Sequence, residues 1–249
     1  MKKLFLWTSV IVLSGCCAFT GVKQPQTRAT LQTPAEILKN VTVALVHVGE
    51  EDKVSPYCSG VWIANNIILT ANHCIEDEGR PDREDDEEWT TNTGAQINYV
   101  IHNDVLNTMN PDVDVIYKAE VLAQDRNNDI AIVKTNKGTP THFNAAISKD
   151  VIRDGQVVHI VGHTVGLWWS YISGWVSSDR PHIDLGNRVD VNVLQLTAPA
   201  YMGNSGGGAF NENLQLIGIC SSVGRGPSIT FFSHRDEIVK FLTRNRIKL

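Results

Sequence analysis

Apolar residues recur along this chain in short runs, at 41–48, 60–64, 67–70, 130–134, 156–162, 191–196 and 214–220, rich in Val and Ile and separated by clusters of Gly, Asn, Asp and Pro. Runs of four to eight residues suit strands, and no segment of helical length and period lies between them. A parallel sheet needs such crossover helices, so the pattern predicts antiparallel barrels or a sandwich. With 249 residues, 42% of them apolar, the chain can bury one large core or two small ones. A seam falls near 136–150, "NKGTPTHFNAAISKD", where few apolar residues are consecutive. Two β units of about 100 residues each fit on either side of it.

Helix signals sit at the two ends of the β region. Thr33 followed by Pro34 reads as an N-cap and first helical position, predicting a short helix over 34–39. At the other end, "SHRDEIVKFLTRN", 233–245, offers Ser233 as a cap, an acid at the third helical position, and Ile238, Phe241 and Leu242 on one face. That predicts a C-terminal amphipathic helix.

The extreme N-terminus carries a compartment signal. Lys2 and Lys3 precede an apolar run over 4–13, long enough for a secretory signal and too short to span a bilayer. It closes on "LSGC", 13–16, which resembles the bacterial lipoprotein signal, although the small residues alone also suit an ordinary signal peptide. The lipoprotein reading makes 1–16 a signal peptide, acylates Cys16 as the lipid anchor to a membrane, and leaves 17–33 as a tether. An exported chain can keep a disulfide, and Cys58 and Cys74 are candidates for a bridge worth about 3 kcal/mol. Cys220 lies in an apolar run and is expected to be an inert buried thiol.

The net charge of −5 is concentrated in one place, because nine acids face only Arg80 and Arg83 between residues 76 and 88. No basic stripe remains, so nucleic acid is not an expected partner. Runs of like charge are usually solvated, and carboxylate oxygens also suit calcium; the solvated reading is preferred here and no metal is assigned. No other feature asks for a cofactor.

Three windows hold side chains able to do chemistry: "ILTANHC" (68–74) places His73 after an apolar strand, "NNDIAIV" (127–133) places Asp129 just before one, and "YMGNSGGGAF" (201–210) sets Ser205 among glycines. Taken singly they read as a core histidine, a turn aspartate and a loop serine. Together, in that order, they resemble the chymotrypsin-like serine peptidases, a likeness that runs over most of 36–245. The resemblance implies an all-β fold of two six-stranded antiparallel β-barrels with a C-terminal α-helix, the N-terminal barrel over 34–140 and the C-terminal one over 141–249. It pairs Cys58 with Cys74, because Cys58-Ser59-Gly60 lies ahead of the histidine at the family's spacing.

Within the family the chain looks closest to the bacterial HtrA/Deg type. Asn204 stands before the serine where trypsins carry aspartate, and "QLTAPAYMGNSGG" from Gln195 and "VVHIVGHTVGLWWSYISGWVSS" (157–178) have the HtrA character. There is no "IVGG"-like activation sequence, so a trypsin-type zymogen switch is not expected. Two departures stand out. Gly208 replaces the usual proline and is expected to loosen the turn, and the sequence ends at Leu249 without room for the peptide-binding module of HtrA enzymes.

The residue types suit acyl transfer. A serine hydroxyl needs a base, and imidazole can take its proton near neutrality and return it, so His73 is the base for Ser205. Asp129 would select the tautomer and stabilise the protonated ring. The glycines would let the backbone turn sharply, so that the amides of Gly203 and Ser205 form the oxyanion hole. By resemblance, Pro199 and Ala200 would line the base of the substrate pocket, with Ser221, Ser222 and Val223 on one wall and Ser228 to Thr230 on the other. None of these is charged, so cleavage after small or medium apolar residues of a protein or peptide substrate is expected. A glutamyl preference is not, because the relevant wall position is Cys220. Trp168, Trp169 and Trp175 suit either an exposed aromatic rim or packing between the barrels. The expected function is that of a serine endopeptidase of the cell envelope; a catalytically silent binding relative and an esterase are the competing readings.

Overall fold

The computed structural model describes residues 32–48, 54–75, 99–102, 117–136, 144–223 and 229–249. The expected signal peptide with Cys16, the expected tether up to residue 31, the acidic segment 76–88 and Ser228 lie outside the described residues. The chain opens with α1 (Pro34–Lys39), followed by β1 (Thr42–Val48), β2 (Val54–Ala64), β3 (Ile67–Thr70), β4 (Tyr99–His102), β5 (Tyr117–Asp125) and β6 (Ile130–Thr135). Then come β7 (Val157–Gly162), β8 (Ser170–Leu185), β9 (Arg188–Thr197), β10 (Gly208–Phe210), β11 (Leu216–Val223), β12 (Thr230–His234) and α2 (Arg235–Arg244). The strands close two barrels, in the orders β1-β2-β3-β6-β5-β4 and β10-β11-β12-β9-β8-β7. The fold is thus two six-stranded barrels of antiparallel strands with a C-terminal helix, as the sequence led one to expect.

The apolar runs stand out most where a strand is buried on both faces. In β6 nearly every side chain is buried, whereas β5 alternates, turning Lys118, Glu120, Leu122 and Gln124 to solvent. An alternating strand leaves no apolar run to read. β8 hides its outer half for another reason: beyond Ser178 it runs with β9 as a largely exposed two-stranded ribbon that needs few apolar residues.

Both helix ends carry side-chain caps, one of them unexpected. Thr33 and Glu36 form a reciprocal capping box at α1. At α2 the cap is His234, whose Nδ1 accepts from the Asp236 amide at 3.0 Å, and not Ser233. Ser233 is still a strand residue, paired with Val193, and its hydroxyl donates to the Asn128 carbonyl. Ile238, Phe241 and Leu242 do form the buried face of α2.

Gly208 also departs from expectation. It begins β10, opposite Ile219, and a Cβ there would come within 2.5 Å of the Phe210 ring and 2.8 Å of Leu216. Its role is to make room for packing, not to loosen a turn. Among the tryptophans, Trp169 is buried and its Nε1–H donates to the Thr42 carbonyl of the first barrel at 3.5 Å, while Trp168 stacks on it at 5.4 Å. Trp175 is exposed. The tandem pair therefore packs between the barrels.

One buried cluster joins β1, β2, β3 and β6 to Trp169, Phe210, Leu216, Ile219 and the α2 residues Ile238, Phe241 and Leu242. A second fills the other barrel around Val158, Ile160, Leu194, Leu196 and Phe232. Residues 32–249 accordingly group as one unit. Among the described residues no helix is long and apolar enough to cross a membrane.

Candidate active site

β3 delivers the chain into a single 3-10 turn, Asn72–Cys74, at the edge of the first barrel. The Cys58–Cys74 disulfide ties that turn to β2. His73 sits at its centre with its side chain 41% exposed. Asp129 ends the turn between β5 and β6 at φ +54°, in the left-handed region that short polar residues tolerate best. The turn is fixed from both sides. Asp125 accepts from the amide and side chain of Asn128 and pairs with Arg244 of α2.

The two elements meet through the Asp129 carboxylate, which is 5% exposed. Its Oδ1 accepts from the His73 amide at 2.9 Å, and His73 Nδ1 lies 3.0 Å from Oδ1 and 2.9 Å from Oδ2. A third donor is the Ser221 hydroxyl, 2.6 Å from Oδ2. A carboxylate that accepts from Nδ1 holds the ring with its Nε2 lone pair free. Behind it lies the Cys220 thiol, whose pKa is pushed up to about 12 by burial and secondly by the Asp129 charge. Cys220 is thus the inert buried thiol anticipated from the sequence.

Ser205 approaches from the second barrel. Ser59 of β2 holds its loop with two bonds, its amide donating to the Ser205 carbonyl and its hydroxyl to the Gly203 carbonyl, both at 2.7 Å. Thr70 Oγ1 in turn donates to the Ser59 carbonyl at 2.7 Å. Gly206, at φ +79°, fits so closely that a Cβ would collide with Thr70 Oγ1 and the Ser59 carbonyl. The serine loop is therefore seated on the end of β3, three residues before His73. The Ser205 hydroxyl itself makes no hydrogen bond among the described residues.

Backbone donors in the loop divide into two groups. The amides of Asn204, Gly206 and Gly207 donate to Tyr201, Cys220 and Asn204 carbonyls, respectively. Those of Gly203 and Ser205 donate to nothing among the described residues. Gly203 has φ +94°, and a Cβ there would strike the His163 carbonyl, so only glycine fits. Asn204 is fully buried and accepts from Thr164 Oγ1 at 2.9 Å.

Of the expected pocket residues, Ala200 is buried and Pro199 half-buried. Val223 pairs with Thr230 and Ser222 with Phe231, so the two expected walls belong to neighbouring strands, β11 and β12. Thr230 is buried and donates to the Ala198 carbonyl at 3.3 Å. Ser221 was expected on a wall, but its hydroxyl turns to Asp129. Sequence reading also missed Ser59, Asn127 and Arg188. The first sits in the quoted Cys58-Ser59-Gly60, where its side-chain role has no sequence signal; the other two belong to contacts between distant loops.

Two six-stranded antiparallel barrels, with a histidine–aspartate pair on one and a glycine-framed serine loop of the other packed beside it, define the chymotrypsin-like class of protein. The chain belongs to the trypsin-like peptidase domain family, whose model matches residues 58–219 and so includes all three motifs. It is 32% identical over 108 residues to a probable periplasmic serine endoprotease DegP-like of Buchnera aphidicola, covering 43% of this chain and 23% of that protein. Over 107 residues it is 30% identical to a probable periplasmic serine protease do/HhoA-like of Haemophilus influenzae, covering 43% and 23%. The chain thus spans about a quarter of the length of these curated relatives. The fold is similar to the crystal structure of Rv3671c from M. tuberculosis H37Rv, a serine-to-alanine mutant in an inactive form, with a TM-score of 0.62 at 14% identity over 86% of this chain and 90% of that one.

Proposed function

We propose that this protein is an exported serine endopeptidase in which Ser205 is the nucleophile, His73 the general base and Asp129 the group that orients it. The observation that carries the reading is the bond from His73 Nδ1 to a buried carboxylate, which leaves Nε2 as the acceptor of a ring whose side chain is 41% exposed. In the acylation step Ser205 Oγ attacks the scissile carbonyl carbon and its proton passes to His73 Nε2. The carbonyl oxygen gains the negative charge and is met by the uncommitted amides of Gly203 and Ser205. Collapse expels the amine, which leaves with the proton from Nε2, and water repeats the sequence on the acyl-enzyme. Each amide is worth about 3–4 kcal/mol of transition-state stabilisation if it behaves as a comparable oxyanion donor.

The uncharged residues expected around the pocket favour small or medium apolar side chains of the substrate. The relatives named as periplasmic, together with the N-terminal signal, support export to the cell envelope, with Cys16 as the lipid anchor. A fluorophosphonate probe tests the reading directly. Covalent labelling of the wild-type protein at Ser205, lost in Ser205→Ala, is the expected result. Absence of labelling in protein with a cooperative thermal transition overturns it in favour of a silent binding relative.

A further inference from the structure

The β8–β9 ribbon leaves its barrel and reaches across to the first one. At its tip, Gly186 turns the chain at φ +64°, and Leu185 pairs with Arg188. Asn127, two residues before Asp129, clamps that tip: its Nδ2 donates to the Val189 carbonyl at 2.8 Å and its Oδ1 accepts from the Val189 amide at 3.0 Å. The clamp places the Arg188 guanidinium, only 13% exposed, against the far side of the His73–Asp129 pair. Nη1 donates to Ser221 Oγ at 2.7 Å and lies 3.5 Å from Asp129 Oδ2.

The direction of this chain of bonds is forced. Arginine has only donors and stays protonated, so the Ser221 oxygen must accept from it. The one hydroxyl proton of Ser221 is then committed to Asp129 Oδ2, 2.6 Å away. Burial pulls the Arg188 pKa below its ordinary value and the Asp129 charge pulls it back up. Among the described residues the other titratable groups facing Asp129 are His73 and Cys220; the thiol is held neutral, and Asp125 on the same turn is paired with Arg244. Asp129 therefore stands between one permanent cation and one ring that becomes a cation only when it takes a proton.

We propose that Arg188 is a positioning residue of the site, acting through Ser221 to hold the Asp129 carboxylate in line with the His73 ring. The inference rests on the peptidase reading above. It assigns the ribbon tip, a segment remote from the three motifs, a share in aligning the His73–Asp129 pair.

Two substitutions separate charge from hydrogen bonding: Arg188→Gln keeps a donor for Ser221 and removes the charge, whereas Arg188→Lys keeps the charge. In Arg188→Gln kcat is expected to fall about tenfold with KM little changed, as for a group that acts on the base and not on substrate binding. Arg188→Lys should stay close to wild type, and Asn127→Ala, which frees the tip without touching the guanidinium, should shift in the same direction as Arg188→Gln. The NMR signal of the proton shared by His73 Nδ1 and Asp129, which needs no turnover, should move in the same order. A loss carried by KM, with an unmoved Nδ1 proton signal in both Arg188→Gln and Asn127→Ala, overturns the proposal. Should Arg188→Gln fail to fold, Asn127→Ala alone decides it. Failure of the wild-type protein to label with fluorophosphonate overturns the peptidase reading separately, because the Nδ1 proton signal still judges Arg188.

Discussion

Replacing Asp129 with asparagine removes one acceptor oxygen from a position where both are in use. Oδ1 takes the His73 amide at 2.9 Å, and Oδ2 takes the Ser221 hydroxyl at 2.6 Å, with His73 Nδ1 within 3.0 Å of both. If the amide NH2 faced the His73 N–H, two donors would oppose each other, so the carbonyl oxygen must stay there. The NH2 then faces Nδ1, which has to become an acceptor, and the ring proton moves to Nε2, where it blocks proton uptake from Ser205. A wrong tautomer of this kind costs about 10⁴ in kcat. Stability falls as well, because charge-assisted bonds worth about 1.5–3 kcal/mol each are weakened and Arg188 loses its anion. With Arg188 as far as 3.5 Å from Oδ2, the low end is appropriate, about 3 kcal/mol in all. In a unit of this size that corresponds to a drop of roughly 6–12 °C in Tm. The assay is the second-order rate of fluorophosphonate labelling beside a calorimetric melt. An Asp129→Asn protein that labels within tenfold of wild type and melts at the same temperature would refute both the tautomer argument and the assigned role of the aspartate.

Gly206→Ala places a Cβ at φ +79° against the Ser59 carbonyl, a backbone atom that cannot step aside, so a loss of about 3 kcal/mol or more in urea unfolding is expected, with labelling of Ser205 slowed; a neutral substitution would mean that the serine loop is not seated on β2 and β3. His163 is fully buried edge-on against the stacked Trp168 and Trp169, and burial lowers its pKa to about 4 from 6.5. Its folded pKa is the depressed one, so the unfolded chain binds the extra proton and stability falls as pH drops from about 6.5 towards 4, by about 3 kcal/mol. Tm measured across that window should fall steeply in the wild-type protein and less steeply in His163→Phe; parallel curves would contradict the assignment.

The legible parts of this sequence were those in which one local pattern has one structural meaning. Two-sided burial gives an apolar run, so β3 and β6 could be read off directly, and the Thr33–Pro34 start needs nothing outside its own turn. His73, Asp129 and Ser205 were legible as a set because their order and surroundings are distinctive together, although no single window was. Strands that show one face to solvent, such as β5, or that leave the barrel, such as outer β8, gave no comparable signal. Ser221 and Arg188 were out of reach for a different reason. A serine in an apolar strand and an arginine beside a turn acquire their roles only when β9, β11 and the Asp129 turn meet, and nothing in their local sequence encodes that meeting. Ser233 shows the reverse error, a good local capping signal overridden because the strand continues through it and Asn128 takes its hydroxyl.

The core that mixes first-barrel strands with Trp169, Phe210 and the inner face of α2 has an evolutionary consequence. Each barrel closes its own hydrogen-bond circuit, yet the first one's apolar lining is completed by side chains encoded beyond its last strand. Exchanging one half for that of a distant homologue would leave sockets without their occupants. Change in this molecule should therefore accumulate in the connecting loops, while the two halves are inherited as a matched set.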